Sequence, residues 1–319
     1  MAKLLFLFTL LALTLLSPFI GAVEMQWQEL LQSGSLEQTI FFDLRLPRLL
    51  LAFFAGVILA LSGWLFQTLF RNDLMTPFTL GISGGAILGT GIAVVLGLNI
   101  ILLGVNLSAL FGFGGAFASV LLILWLSRYI RHRGSNALLL LGIALSFFFS
   151  AALMVLFSIA TAMQSHAILH YTMGSLSTLG YTQVIITSIM ALLLLFTLQR
   201  RRFELSLLAI NDEHARLKGV DTKKLTYFLL VISSLAIGVL ISITGPIGFI
   251  GLIIPHVVRK LYPRANHELI IPTALIGGLF LAACDTLSRL PQLQSEIPIG
   301  IVTAFIGGPF FIYLIIKGK

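Results

Sequence analysis

Long uncharged apolar runs, separated by short basic clusters, govern what this chain can become. A helix crossing about 30 Å of hydrocarbon needs about 20 apolar residues at 1.5 Å each. Candidate spans lie near 4–22, 49–70, 76–97, 105–127, 136–160, 182–199, 225–244, 246–258, 269–285 and 298–316. With 58% hydrophobic and 10% charged residues, the chain lacks the polar surface that coats a water-soluble particle. The same figures exclude disordered, collagen-like and disulfide-stapled classes. A net charge of +8 would suit a nucleic-acid partner, but the basic residues form no continuous face, so no nucleic acid is expected. The expected fold class is an all-α membrane protein: ten transmembrane helices in a single domain, residues 1–319.

Charge asymmetry sets the topology, because Lys and Arg collect on the cytoplasmic side. With ten spans and both termini cytoplasmic, all of the 20 Lys and Arg except Arg45, Arg48 and Arg289 fall inside. The short eighth run holds Gly245, Pro246, Gly248, Gly251 and Pro255, and could be the tail of one helix over 225–258. That merger would move Arg259, Lys260, Arg264, Lys317 and Lys319 to the outer side, so the split is preferred. Lys3 and the apolar run to Ile20 also read as a secretory signal, whose removal would leave nine spans.

Two connections are long. The outer loop over 23–44 is acidic, with Glu24, Glu29, Glu37 and Asp43. The inner loop over 199–224 has apolar anchors at Phe203, Leu205, Leu207, Leu208, Ile210 and Leu217. Within it, Asn211 or Asp212 can cap a short helix carrying Glu213 through Lys218, which Gly219 can end. Such an element is either an ordinary connection or a rigid knob gripped by another protein. Between the second and third spans, Thr76 and Pro77 suit the cap and first position of a helix.

Nothing reads as catalytic or as a metal site. There is no phosphate-binding loop of the GxxxxGK[ST] kind, so this chain holds no ATP through that motif. His166 and His170 could share a helix face, but no carboxylate or cysteine lies near them in sequence. Mid-span ionisable residues, which gradient-driven transporters need, are nearly absent. Asp285 sits four residues before Arg289, where the two can pair. The energy source is therefore expected outside the chain, against the rival of a gradient-driven secondary transporter.

Four stretches carry a resemblance: RLPRLLLAFFAGVILALSGWLFQTLFRNDLMTPFTLGISGGA at 45–86, LLAINDEHARLKGVD at 207–221, GPIGFIGLIIPHVVRKLYPRANHELIIPTALIGG at 245–278, and DTLSRL at 285–290 with SEIPIGIVTAFIGGPFFIYLI at 295–315. They resemble, in order, the FecCD-type permease family, the membrane subunits of ABC importers for iron-siderophore, haem and cobalamin. The resemblance implies the type II importer fold of ten helices, in the cell inner membrane. It implies as partners a second permease subunit (identical or a close paralogue), a soluble substrate-binding protein outside, and two ATP-binding cassette subunits inside. ATP and Mg would bind the ATPase, leaving this chain without a cofactor or a reaction of its own. An iron chelate, siderophore or haem, is the expected cargo; cobalamin is the alternative.

Family positions carry over to Arg45, Arg48 and Arg289 as docking arginines for the binding protein, with anchoring at lipid headgroups as their other reading. The coupling segment, which in the family resembles L-G-E-E-A-A-R-x-L-G, falls on Asn211, Asp212, Glu213, His214, Ala215, Arg216 and Gly219. Asn211 replaces its glycine and Lys218 its second leucine. Asp73 stands where the family usually has proline, and is expected to cap its turn. By the same analogy the region after the fifth span and the tenth span line a central pathway.

Overall fold

An apolar segment leaves water only if its own backbone N–H and C=O groups are bonded internally, and the helix achieves this within one run. The computed structural model describes residues 9–14, 16–20, 35–98, 101–102, 105–130, 135–263, 265–290 and 296–317. Lys3, Glu24, Glu29, Arg131, Arg133, Arg264 and Lys319, used in the topology and loop readings, lie outside them. The helices are α1 (Leu36–Phe70), α2 (Ile82–Val95), α3 (Leu107–Ile130), α4 (Ser135–Ile159), α5 (Ala162–Met173) and α6 (Thr182–Arg200). They continue as α7 (Arg202–Ile210), α8 (Asp212–Leu217), α9 (Thr222–Thr244), α10 (Ile250–Leu261), α11 (Ile270–Ser288) and α12 (Ile299–Lys317). One two-residue antiparallel pair, Ile101–Leu102 with Val105–Asn106, precedes α3. Among the described residues six helices are long and apolar enough to cross a membrane; α2 and α12 are shorter apolar helices.

Several boundaries differ from the sequence reading. The outer loop expected over 23–44 is helical from Leu36 onward, because the Ser35 hydroxyl caps the first turn, accepting from the Gln38 N–H at 3.1 Å. A π-helical stretch, Ile40–Arg45, joins that turn to the apolar body of α1. At 1.5 Å per residue, α1 is about 52 Å long and overshoots the hydrocarbon layer. The third run starts late, at Ile82, since Thr76 caps only a turn (Thr79 N–H to Thr76 Oγ1, 3.2 Å) and Gly81 has φ of +73°. The seventh and eighth runs are two separate helices, broken at Gly245 and Phe249, both with φ of +67°. Helix α5, the capped segment Thr161–Met173, was not foreseen: Thr161 and Gln164 form a reciprocal capping box.

Helix α1 is the pillar of the bundle, packed by α11, α6 and α10. Trp64, Phe66 and Leu61 on it are fully buried. In lipid, where tails are as apolar as leucine, helices hold together by close packing, and small residues permit it. A Cβ on Gly63 would overlap the Gly251 backbone of α10, and one on Gly56 the Gly277 carbonyl of α11. A Cβ on Gly114 of α3 would meet nothing within 4 Å. Gly63→Ala should therefore cost about 1–3 kcal/mol, read as a lower thermal midpoint in detergent, while Gly114→Ala keeps the wild-type midpoint. Equal midpoints for the two variants would contradict this packing.

Candidate functional site

The start of α1 and the end of α11 bring together residues far apart in sequence. Asp285 is fully buried; its Oδ1 accepts from Arg48 Nε at 3.0 Å, and its Oδ2 is ion-paired with Arg289 Nη2 at 3.0 Å. Arg48 Nη1 also reaches Glu296 Oε2, a half-exposed carboxylate, at 2.7 Å. Arg289 donates to the Ser17 hydroxyl at 2.7 Å and the Ile20 carbonyl at 3.3 Å, and Arg45 to the Pro18 carbonyl at 3.0 Å. The foreseen i,i+4 pair Asp285–Arg289 is present. The contacts of Arg48 span more than 230 residues and left no local signal. Arg48 and Arg289 share Asp285, and all three arginines are largely buried instead of projecting freely. Taking Asp285 away would strand buried cations.

About 35 Å along α1, at its other end, stands the knob of α7 and α8. The side chain of Asn211 caps α8, accepting from the Glu213 N–H at 3.0 Å. Gly219, at φ of +84°, ends it, and the Val220 N–H returns to the Ala215 carbonyl at 3.0 Å. Ala215 is buried, whereas Asp212, Glu213, His214 and Arg216 are exposed. Of the six expected anchors, Leu205 and Leu208 are buried and Leu207 is partly so; Phe203, Ile210 and Leu217 face outward. The knob is tied to the bundle by the Arg71–Asp212 ion pair and by Arg216 Nε to Thr222 Oγ1 at 3.1 Å. In the 71–75 turn the capping side chain is Asn72, accepting from the Leu74 N–H at 2.9 Å, and not Asp73 as expected. Asp73 pairs with Arg259 of α10 at 2.9 Å. Asp221 caps α9, and the Lys224 backbone N–H holds its carboxyl below the usual range.

Between these ends lies a cavity of about 1170 Å³. Its wall comes from the 74–79 turn, the start of α2, one face of α4, the end of α5, residues 246–252 and α12. The lining is apolar and aromatic with six hydroxyls, Thr76, Thr79, Ser83, Ser146, Ser150 and Thr172, and contains no ionisable side chain. Such a wall passes or holds a bulky solute without gripping it by charge. The two regions that the family resemblance assigned to a pathway, after the fifth span and along the tenth, both contribute to it. His166 and His170 lie exposed on α5; among the described residues no group of three or more His, Cys, Asp or Glu converges on one point.

Over residues 9–317 the sequence matches the FecCD transport family. It is 36% identical to the hemin transport system permease protein HmuU of Yersinia pestis, covering 98% of this chain and 94% of that one. It is 34% identical to the vitamin B12 import system permease protein BtuC of Klebsiella pneumoniae, over 88% of this chain and 84% of that one. Among solved structures, one described as an inward-facing metal-chelate type ABC transporter superposes with a TM-score of 0.82 at 30% identity, over 98% of this chain and 99% of that one. With the helical bundle, the uncharged cavity and a match along nearly its full length, the chain belongs to the FecCD transport family and is an ABC transporter permease.

Proposed function

We propose that this chain is one half of the membrane gate of an ATP-driven, binding-protein-dependent importer for an iron chelate, siderophore or haem. The observation that carries the reading is the uncharged cavity of about 1170 Å³, set between an arginine-rich end and a rigid knob. The topology proposed is ten transmembrane helices with both termini cytoplasmic, in the cell inner membrane. A second permease copy or close paralogue completes the pathway across the exposed apolar faces of α4 and α12, where Phe147 and Phe305 are 72% and 84% exposed. Cobalamin is the alternative cargo, favoured by the similarity to a vitamin B12 permease.

The energy comes from separate ATP-binding subunits that bind ATP and Mg and grip α8 through Asn211, Asp212, Glu213, His214, Ala215, Arg216 and Gly219. A short helix capped at both ends moves as a unit, so a pull on it displaces the helices it joins instead of being absorbed locally. Arg45, Arg48 and Arg289 form the docking end for the binding protein. The gathering of three guanidiniums at one end supports this, since ion pairs with partner carboxylates steer encounter and fix register more than they add affinity.

Replacing Glu213 and Arg216 together by alanine should lower uptake at least tenfold while the assembled complex still hydrolyses ATP; unaffected uptake would contradict the coupling role. Arg48→Glu should weaken binding-protein association, with the difference shrinking as salt rises. An unchanged dissociation constant at low salt would contradict docking at this end. Asp285→Asn should destabilise the fold by about 3–5 kcal/mol, as breaking a buried pair does, measured as a lower unfolding midpoint in detergent; a wild-type midpoint would contradict the burial of that charge.

A further inference from the structure

Helix α5 presents an exposed stripe of metal-ligating side chains that the pathway reading does not use. Met163, His166, His170 and Met173 follow one another at spacings of three, four and three. At 3.6 residues per turn they fall within an arc of about 80°. All four are exposed, Met163 to 84% and Met173 to 39%. The opposite face fixes the direction of the stripe. Ile168 is buried there, Gln164 Nε2 donates to the Val94 and Val95 carbonyls at 3.2 and 3.1 Å, and the Tyr171 hydroxyl donates to the Ile241 carbonyl at 2.6 Å. The capping box at Thr161 and the turn at Gly174, with φ of +72°, hold the two ends of the helix. Met173 itself lies in the cavity wall beside Thr172, and its backbone carbonyl lies where a Cβ on Gly300 of α12 would fall. The stripe is therefore a rigid track that ends in the cavity.

The donor set narrows the ligand. Two imidazoles and two thioethers without a carboxylate suit a borderline or soft metal centre. Two histidines four apart on one helix face can each present a nitrogen to the same side. A ferric ion wrapped by six hard oxygens offers these side chains no open position. A porphyrin iron does, because its axial positions take imidazole or thioether. Phe78, Phe249, Phe305 and Phe311 in the cavity wall supply aromatic surface for a flat macrocycle.

We propose that the α5 stripe is a transit site for haem. The lone pair of a neutral His166 or His170 imidazole displaces an axial water from the haem iron; the water leaves, and the oxidation state is unchanged. The next donor along the helix, about 6 Å from His166 to His170 and about 4.5 Å more to Met173, exchanges in the same way. This rests on the cavity being the pathway, and it narrows the cargo from iron chelates in general to haem.

The test is titration of the purified chain in lipid nanodiscs with hemin, following the Soret band against empty nanodiscs. The wild-type protein should give a saturable shift, and His166→Ala/His170→Ala should weaken it at least tenfold. Iron-free protoporphyrin IX should not distinguish the two proteins. Both substituted residues are exposed, so the double variant should keep the wild-type helical signal and elution volume. Hemin titrations that coincide for the two proteins would overturn the haem site and leave the pathway reading untouched. A histidine-dependent shift together with no ATP-driven hemin uptake by the assembled transporter would overturn the pathway reading and keep the site.

Discussion

Backbone-to-backbone contact along α1 is the constraint on which the remaining architecture rests. Between helices in lipid there is no hydrophobic drive to association, so the bundle must gain from tight van der Waals contact. Gly63 against Gly251 and Gly56 against Gly277 allow α10 and α11 to approach α1 to the distance where such contact is made. The same approach places Gln67 Nε2 3.1 Å from the Gly251 carbonyl, which satisfies a polar group inside the bundle. Both functional ends are built on this pillar. Its first half carries Arg45 and Arg48, and its end passes through Arg71 to the knob.

That arrangement gives a physical route between the two faces of the protein. Interfaces packed at glycine contacts shift as rigid bodies more readily than they deform, since there is no side chain to repack. Under the coupling proposed above, movement of the knob passes through Arg71–Asp212 to the end of α1, and the neighbouring Asp73–Arg259 pair joins that turn to α10. Both pairs are partly exposed, so their own energies are small. They act as guides for motion more than as stores of stability. The 74–79 turn of the cavity wall follows Asp73 directly, and Gln67 links Arg259 to the Gly251 carbonyl in the wall segment 246–252.

Much of this was legible in the sequence because it is written locally. Apolar runs gave helices, and the Asn211 cap and Gly219 terminator gave α8 to within a residue. The i,i+4 spacing gave Asp285 with Arg289. Other features are not local. Arg48 finds Asp285 and Glu296 only after the chain has folded, and the burial of Arg45 depends on the carbonyl of Pro18. The helical residues 36–44 were read as loop from Glu37 and Asp43, although Leu36, Ile40, Phe41, Phe42 and Leu44 are apolar and continue the run of α1. Helix α5 was missed for a related reason: its buried face is a few residues wide, and its stripe of Met and His reads as a polar membrane edge until Met173 is seen in the cavity wall.

The central claim is that this chain is a passive gate driven by a nucleotide engine on other chains. Sealed vesicles holding the chain with its permease partner, with and without the ATP-binding subunits, test it most directly. The account predicts that labelled cargo accumulates against its gradient only when the ATP-binding subunits, Mg and ATP are all present. Accumulation by the permease alone, driven by an imposed ion gradient, would contradict it.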